Sequence, residues 1–223
     1  LETRPEAAHT VVDQAVAAAA ELAGGNFRGL VNGVLRNFLR QQAELTAALA
    51  NDELALSQHP DWWLHTLQAA WPDDWPGIVA AGNGPPPMAL RVNQRRSTRD
   101  EYLQRLSGEG IIATPIGEVG LLLAKPVPVE RLPGFAAGLV SVQDPGAQLA
   151  ATLLDPVPGS RVLDACAAPG GKTAHLLERA RLDMLALDLK PARCRRVEAN
   201  LSRLGLGAAI KAGDCAKLNT WWD

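Results

Sequence analysis

Apolar residues change period along this chain. From Glu6 to Leu22, Val12, Val16 and Ala20 recur at helical spacing in an alanine-rich segment that Gly24-Gly25 closes. A second helix is predicted from Phe27 to Leu49, where Leu30, Val31, Val34, Leu35, Phe38 and Leu39 make one apolar face. Two helices cannot fully bury each other's faces, so the pair reads as the tail of a larger helical domain. A third helix runs from Asp61 to Trp71, with Pro60 at its start, Trp63, Leu67, Ala70 and Trp71 in phase, and Pro72 as its stop. Asn83-Gly84-Pro85-Pro86-Pro87 then breaks every period and reads as a linker stiffened toward polyproline geometry.

Beyond the linker, short strands and helices mix. Met88 to Asn93 is a strand, and Thr98-Arg99-Asp100-Glu101 is a capping box opening a helix to about Leu106, closed by Gly108 and Gly110. Ile111 to Thr114, Leu121 to Ala124 and Leu139 to Gln143 are further strands, which together predict a small α+β module. Asp144-Pro145-Gly146 turns the chain into a helix, Ala147 to Leu154. From there strands and helices alternate: Arg161 to Asp164, a Pro/Gly hinge and helix, Met184 to Leu187 ending at Asp188, a helix from Pro191 to Leu204, and Ala208 to Ala212 ending at Gly213-Asp214. That alternation implies right-handed parallel crossovers, with ligands bound outside the strands' carboxyl ends. The predicted architecture is multidomain α and α/β. Residues 1–50 form helices, 51–138 a helical linker plus the α+β module, and 139–223 the first part of a Rossmann-like domain with a parallel sheet.

Candidate chemistry gathers at the first strand-to-helix junction, Cys166-Ala167-Ala168-Pro169-Gly170-Gly171-Lys172. Backbone N–H groups at a helix amino end lack partners, and paired glycines let a ligand approach them. An ordinary strand-to-helix turn would use the same residues. Asp188 lies about 20 residues beyond the glycines, where an acid can accept hydrogen bonds from both hydroxyls of a ribose. Asp214 can face an adenine amino group in the same way, and either acid can instead cap the following helix. A nucleoside-triphosphate loop needs glycine where Cys166 stands, and no Gly-x-Gly-x-x-Gly is present for a dinucleotide.

The seven residues Cys166 to Lys172 resemble the S-adenosylmethionine loop of RNA cytosine-5 methyltransferases, with Asp188 matching that family's ribose-binding acid and Asp214 its adenine-side acid. His59-Pro60-x-Trp62, Leu90-Arg91-Val92-Asn93, Leu132-Pro133-Gly134-Phe135 and Val142-Gln143-Asp144 narrow the resemblance to the RsmB family (also called Sun or Fmu) of bacterial 16S rRNA methyltransferases. Gly29 to Arg36 is similar to the last helices of that family's NusB-like amino-terminal domain. The α+β module is implied to resemble an RNA-recognition fold, although it lacks that fold's aromatic RNP strand. The resemblance implies transfer of a methyl group from S-adenosylmethionine to carbon 5 of a cytosine in 16S rRNA. In this family a cysteine thiolate adds to carbon 6 and makes carbon 5 nucleophilic. The family's two cysteines lie in a Pro-Cys and a Thr-Cys-Ser segment, and neither segment occurs in these residues. Cys166 belongs to the loop, Cys194 to a helix, and Cys215 follows Asp214, so no catalytic residue is assigned. The chain starts at Leu1 rather than methionine and reaches Trp221-Trp222-Asp223 before a fourth parallel strand. The expectation is an enzyme lacking both ends, holding most of the cofactor site and inactive alone.

Charge sets the remaining bounds. A net charge of −2 and a pI near 6.1 place any RNA contact on local basic patches. Candidates are Arg28, Arg36 and Arg40 on the second helix; Arg91, Arg95, Arg96 and Arg99; and Lys190, Arg193, Arg195, Arg196, Arg203 and Lys211, opposed by Glu198. Each also reads as a solvated face. Trp62, Trp63, Trp71 and Trp75 stand among Asp61, Asp73 and Asp74, which favours core or interdomain packing over base stacking. His59 and His65 have no ligand at metal spacing, so no metal is expected. Three cysteines without C-x-x-C point to free thiols in a reducing, cytoplasmic setting. No apolar stretch approaches the roughly 20 residues of a membrane span. A monomer is expected, with 16S rRNA as partner. The competing readings are a non-catalytic RNA-binding or ribosome-assembly module and a dinucleotide oxidoreductase.

Overall fold

The computed structural model describes residues 5–222, so Leu1 and Asp223, cited above as chain ends, lie outside the described residues. The chain divides into two units between Pro85 and Pro86, inside the proline linker.

In the first unit, α1 (Ala8–Glu21) packs along α2 (Arg28–Ala48). No residue of α2 is buried: Val31, Leu35, Phe38 and Leu39 are half-covered, while Leu30 and Val34 are exposed. Two short helices escaped the sequence pattern, α3 (Glu53–Ser57) and a later one from Trp75 to Asn83. Asp52 caps α3 by accepting the Ala55 N–H, and five residues are too few to show a period. Helix α4 (Asp61–Ala70) and α5 (Trp75–Asn83) share a small cluster of Leu64, Leu67 and Val79 with Trp75 against it. Pro76 hides α5 from the pattern, although at the first turn proline costs no hydrogen bond. Of the four tryptophans expected in packing, only Trp75 joins that cluster. Trp62 is 67% exposed, Trp71 56% and Trp63 37%. Leu64 and Leu67 take the inward stripe of α4, which turns Trp62 and Trp63 outward.

The second unit holds two sheets. The first is antiparallel in the order β2-β3-β1-β4, from β1 (Ala89–Val92), α6 (Arg99–Gly108), β2 (Ala113–Ile116), β3 (Gly120–Leu123) and β4 (Val140–Val142). Thr98 and Glu101 form the predicted capping box of α6. Strand β2 begins later than the pattern suggests because the Ile111 N–H still donates to Leu106 O, wrapping the end of α6. All of β1 is buried, since its alternate side chains face opposite layers: Leu90 and Val92 join Tyr102, Leu106, Leu121 and Val140 in the core beneath α6, and Arg91 points the other way. Strand β4 lies within the stretch 139–223 and pairs with β1, Arg91 opposite Ser141.

The chain then enters α7 (Pro145–Leu154), capped by Asp144, and runs through β5 (Arg161–Asp164), α8 (Gly171–Arg179), β6 (Asp183–Asp188), α9 (Pro191–Leu204) and β7 (Ala209–Ala212). These strands form a parallel sheet in the order β5-β6-β7, which places their carboxyl ends side by side. Ala174, Leu177, Met184, Ala186, Val197, Leu201 and Leu204 fill the core between it and its helices. Among the described residues no helix is long and apolar enough to cross a membrane, and no cluster of His, Cys, Asp and Glu could hold a metal ion.

Candidate functional site

The junction after β5 is a tight hinge. The Ala168-Pro169 peptide is cis, and Gly170 takes φ +95°, the left-handed region that L side chains avoid. A Cβ there would also come within 3.2 Å of Val197 Cγ1, so only glycine lets the hinge lie against α9. Gly170 is the N-cap of α8 and supplies no side chain to it. The first-turn N–H groups of Gly171, Lys172 and Thr173 therefore have no side-chain cap, and the positive end of the helix dipole lies with them. Lys172 is exposed and has no partner among the described residues.

Asp188, at the end of β6, joins the pieces. Its Oδ2 accepts the Ala168 N–H at 3.1 Å, and its backbone oxygen accepts the N–H of Gly213, just past β7, at 2.9 Å. Leu187 O accepts the Ala167 N–H at 3.0 Å. The hinge, the end of β6 and the exit of β7 are thereby fastened at one rim, with Asp214 next in the chain. Asp188 is buried and Asp214 half-buried. The alternative role as helix cap fits neither acid well: α9 has no side-chain cap, and Asp214 Oδ1 accepts only the Ala216 N–H of a turn.

Two further residues shape the rim that sequence did not assign to it: Asp164 was read only as a strand end, and Arg193 as part of a basic face. Asp164, at the end of β5, accepts the Thr173 hydroxyl at 2.6 Å and the Cys166 N–H at 3.3 Å, so it ties both sides of the hinge together. Arg193 lies 3.3 Å from Asp188 Oδ1 and donates to Ala168 O at 3.4 Å. The sequence signals were available: an acid ends each of β5 and β6, and Arg193 lies on the first turn of α9.

The cysteines scatter. Cys166 and Cys215 are exposed, whereas Cys194 is buried with its thiol directed at Asp188 O, 3.8 Å away.

Of Arg91, Arg95, Arg96 and Arg99, only Arg91 leaves the surface altogether; Arg95 and Arg96 stay exposed and Arg99 half-buried, each donating to a backbone carbonyl. Arg91 is fully buried. Arg95 donates to the carbonyls of Glu178 and Ala180, Arg96 to Ala137 O, and Arg99 to Gly117 O. Arg203 of the third basic group is turned inward, donating to Phe135 O and Val140 O with its guanidinium 4.3 Å from the Phe135 ring centre. Arg91, Arg95 and Arg203 tie the antiparallel unit to α8 and α9, whereas Arg96 and Arg99 bond loops between its own strands. Arg28, Arg36 and Arg40 do remain exposed on α2.

Comparison with known proteins adds the following. A family model described as 16S rRNA methyltransferase RsmB/F matches residues 151–223. Another, described as the ferredoxin-like domain of RsmF/B-like methyltransferases, matches residues 59–130. The chain is 47% identical to ribosomal RNA small subunit methyltransferase B of Pseudomonas syringae pv. tomato, over 97% of the chain and 49% of that protein. To the protein of the same name from Pseudomonas putida it is 46% identical, over 97% of the chain and 50% of that protein. It thus spans about half the length of the curated relatives it matches. A methyltransferase homologue of solved structure from Pyrococcus horikoshii is 28% identical with a TM-score of 0.66, covering 76% of this chain and 57% of its own.

Proposed function

Because this chain belongs to the RsmB/F family of 16S rRNA methyltransferases, we propose that it binds S-adenosylmethionine on the rim around Asp188, for methylation of carbon 5 of a cytosine in 16S rRNA. The observation that carries this reading is the convergence on Asp188 of the glycine hinge and the exit of β7. The cofactor supplies an electrophilic methyl group, and these residues hold it. Uncapped N–H groups of Gly171, Lys172 and Thr173 suit its amino-acid carboxylate. Asp188 suits the ribose and Asp214 the adenine side, while Cys166, Ala167, Ala168 and Pro169 form the wall between them. A carboxylate offers about four lone-pair sites. In Asp188 three donors already use them, the N–H groups of Ala168 and Lys190 and Arg193 Nε. One ribose hydroxyl can be accepted as the carboxylate stands, and the second requires the exposed Arg193 to swing off Oδ1.

Neither the Pro-Cys nor the Thr-Cys-Ser segment lies in the 223 residues, so in this reading the chain binds cofactor and does not turn over alone. The exposed face of α2 supports taking α1 and α2 as part of a NusB-like helical domain, with Arg28, Arg36 and Arg40 toward RNA. Calorimetric titration with S-adenosylmethionine and, separately, NADH tests the cofactor. Binding of NADH alone would overturn the reading. Incubating the intact gene product with unmodified 16S rRNA, then assaying for 5-methylcytosine, tests the reaction.

A further inference from the structure

The seam between the antiparallel sheet and α8 centres on one side chain. Arg91 lies on β1, an inner strand, and all of it is buried. Its Nε and Nη2 grip Glu178 at 3.0 and 2.7 Å, while Nη1 donates to Gln143 Oε1 at 2.6 Å and to Gly171 O at 2.7 Å. Gly171 and Glu178 stand at opposite ends of α8 and, about two turns apart, share a face. A single guanidinium thus fixes both the rotation of α8 and its position along its axis. The Gly171 carbonyl it holds belongs to the hinge whose N–H groups face the rim. The hinge is gripped from α9 as well: Arg203 holds Asn200 Oδ1 at 3.0 Å, and Asn200 donates to Pro169 O at 3.4 Å.

We infer that Arg91, acting from the ferredoxin-like sheet, is a positioning residue for the cofactor: with Glu178 it holds the first turn of α8 where its N–H groups meet the cofactor's carboxylate. The inference rests on the S-adenosylmethionine reading above. Geometry explains the choice of arginine. A planar fork can meet both carboxylate oxygens and still aim further N–H groups at Gln143 and Gly171, whereas a lysine ammonium is a point charge that cannot span them. A clamp that served folding alone would alter stability and leave the affinity of the folded protein untouched.

The test measures S-adenosylmethionine affinity by calorimetry on the whole chain, with folding checked by circular dichroism. Arg91→Lys keeps the buried charge and loses the fork, and is expected to bind about tenfold more weakly, about 1.4 kcal/mol. Arg95→Ala, which trims the same seam at the far end of α8, is expected to stay within about twofold of the parent. If Arg91→Lys does not fold, the paired Arg91→Met, Glu178→Leu variant, which leaves no orphan charge, replaces it with the same expected weakening. Parental affinity in the folded variant overturns the inference alone. A parent chain that fails to bind, or that binds no better than Asp188→Ala, overturns the cofactor reading and the inference with it.

Discussion

His175 gives the sharpest test of the energetics. It lies on α8 one turn beyond the glycine hinge, 2% exposed, and neither ring nitrogen has a hydrogen-bond partner among the described residues. Burial pulls its pKa from 6.5 down to about 4, the charges of Arg91 and Arg179 add to the fall, and Glu118 opposes it. The imidazole therefore binds its proton more readily in the unfolded chain than in the folded one. Stability attributable to this side chain is fully present well above pH 6.5, falls as pH drops through 6.5 toward 4, and levels off below that. With those two values the loss is about 2 kcal/mol at pH 5 and about 0.1 kcal/mol at pH 7.5. His175→Leu removes the titration while keeping a side chain of similar volume. Urea unfolding of parent and variant, followed by circular dichroism at both pH values, reads the effect as a difference of differences. Other titrating groups, the buried Glu178 included, cancel in that comparison. The variant is expected to gain about 2 kcal/mol on the parent between pH 7.5 and pH 5. An unchanged gap would refute the reasoning, because it would mean that His175 takes its proton equally well in both states.

Three further outcomes follow from single contacts. Asp188→Ala removes an acceptor for the ribose and is expected to weaken S-adenosylmethionine binding by about 1–3 kcal/mol in calorimetry; unchanged affinity removes Asp188 from the site. Gly138 adopts φ +73°, and a Cβ there would come within 2.4 Å of Arg203 O, so Gly138→Ala is expected to lower the unfolding free energy in denaturant titration by more than the roughly 1 kcal/mol typical of a strained glycine site. Thr98→Ala breaks the capping box of α6 and is expected to cost about 1 kcal/mol in denaturant titration while leaving cofactor affinity as it was.

Local structure was legible in the sequence where a pattern repeats or a residue has one use. Pro191 to Leu204 folds as the helix its period describes, because Pro191 suits a first turn and Gly205 closes the end at positive φ. The capping box at Thr98 and the linker at Pro85-Pro86 behaved likewise. The place of Asp188 at the end of β6 was legible too, since a parallel βαβ unit brings the end of the second strand to the rim of the first. Side-chain direction was not legible. Arg91 reads as one more cation beside Arg95 and Arg96, and only the pairing of β1 between β3 and β4 shows that its odd-numbered face meets α8. The tryptophans were misread for a related reason: Leu67 is in phase with Leu64 as well as with Trp63, and pattern alone does not choose between those two neighbours on a short helix.

The arginines also explain how a chain of net charge −2 carries so many clustered cations. The segment around Phe135, Ala137 and Gly138 and the exit of α8 present carbonyl oxygens with no strand beside them. Each carbonyl has two lone pairs, so one that already takes a backbone N–H, as Phe135 O does from Gly138, can accept a guanidinium N–H as well. Arg96 supplies Ala137 O, Arg203 supplies Phe135 O and Val140 O, Arg95 supplies Glu178 O and Ala180 O, and Arg91 supplies Gly171 O. The guanidinium fork suits this work because one side chain reaches several acceptors that need not lie on one strand. The clustering follows the backbone carbonyls these guanidinium groups bridge along the seam between two sheets, and phosphate binding is not needed to account for it. In the second unit, the cations left to meet RNA in the proposed reaction are those that remain exposed near the rim. Lys172 follows the hinge, Lys190 follows Asp188, and Arg195 and Arg196 ride on α9. In the proposed reaction these side chains give the acceptor strand its charge partners, so replacing Arg195 and Arg196 together is expected to weaken RNA binding while leaving cofactor affinity as it was.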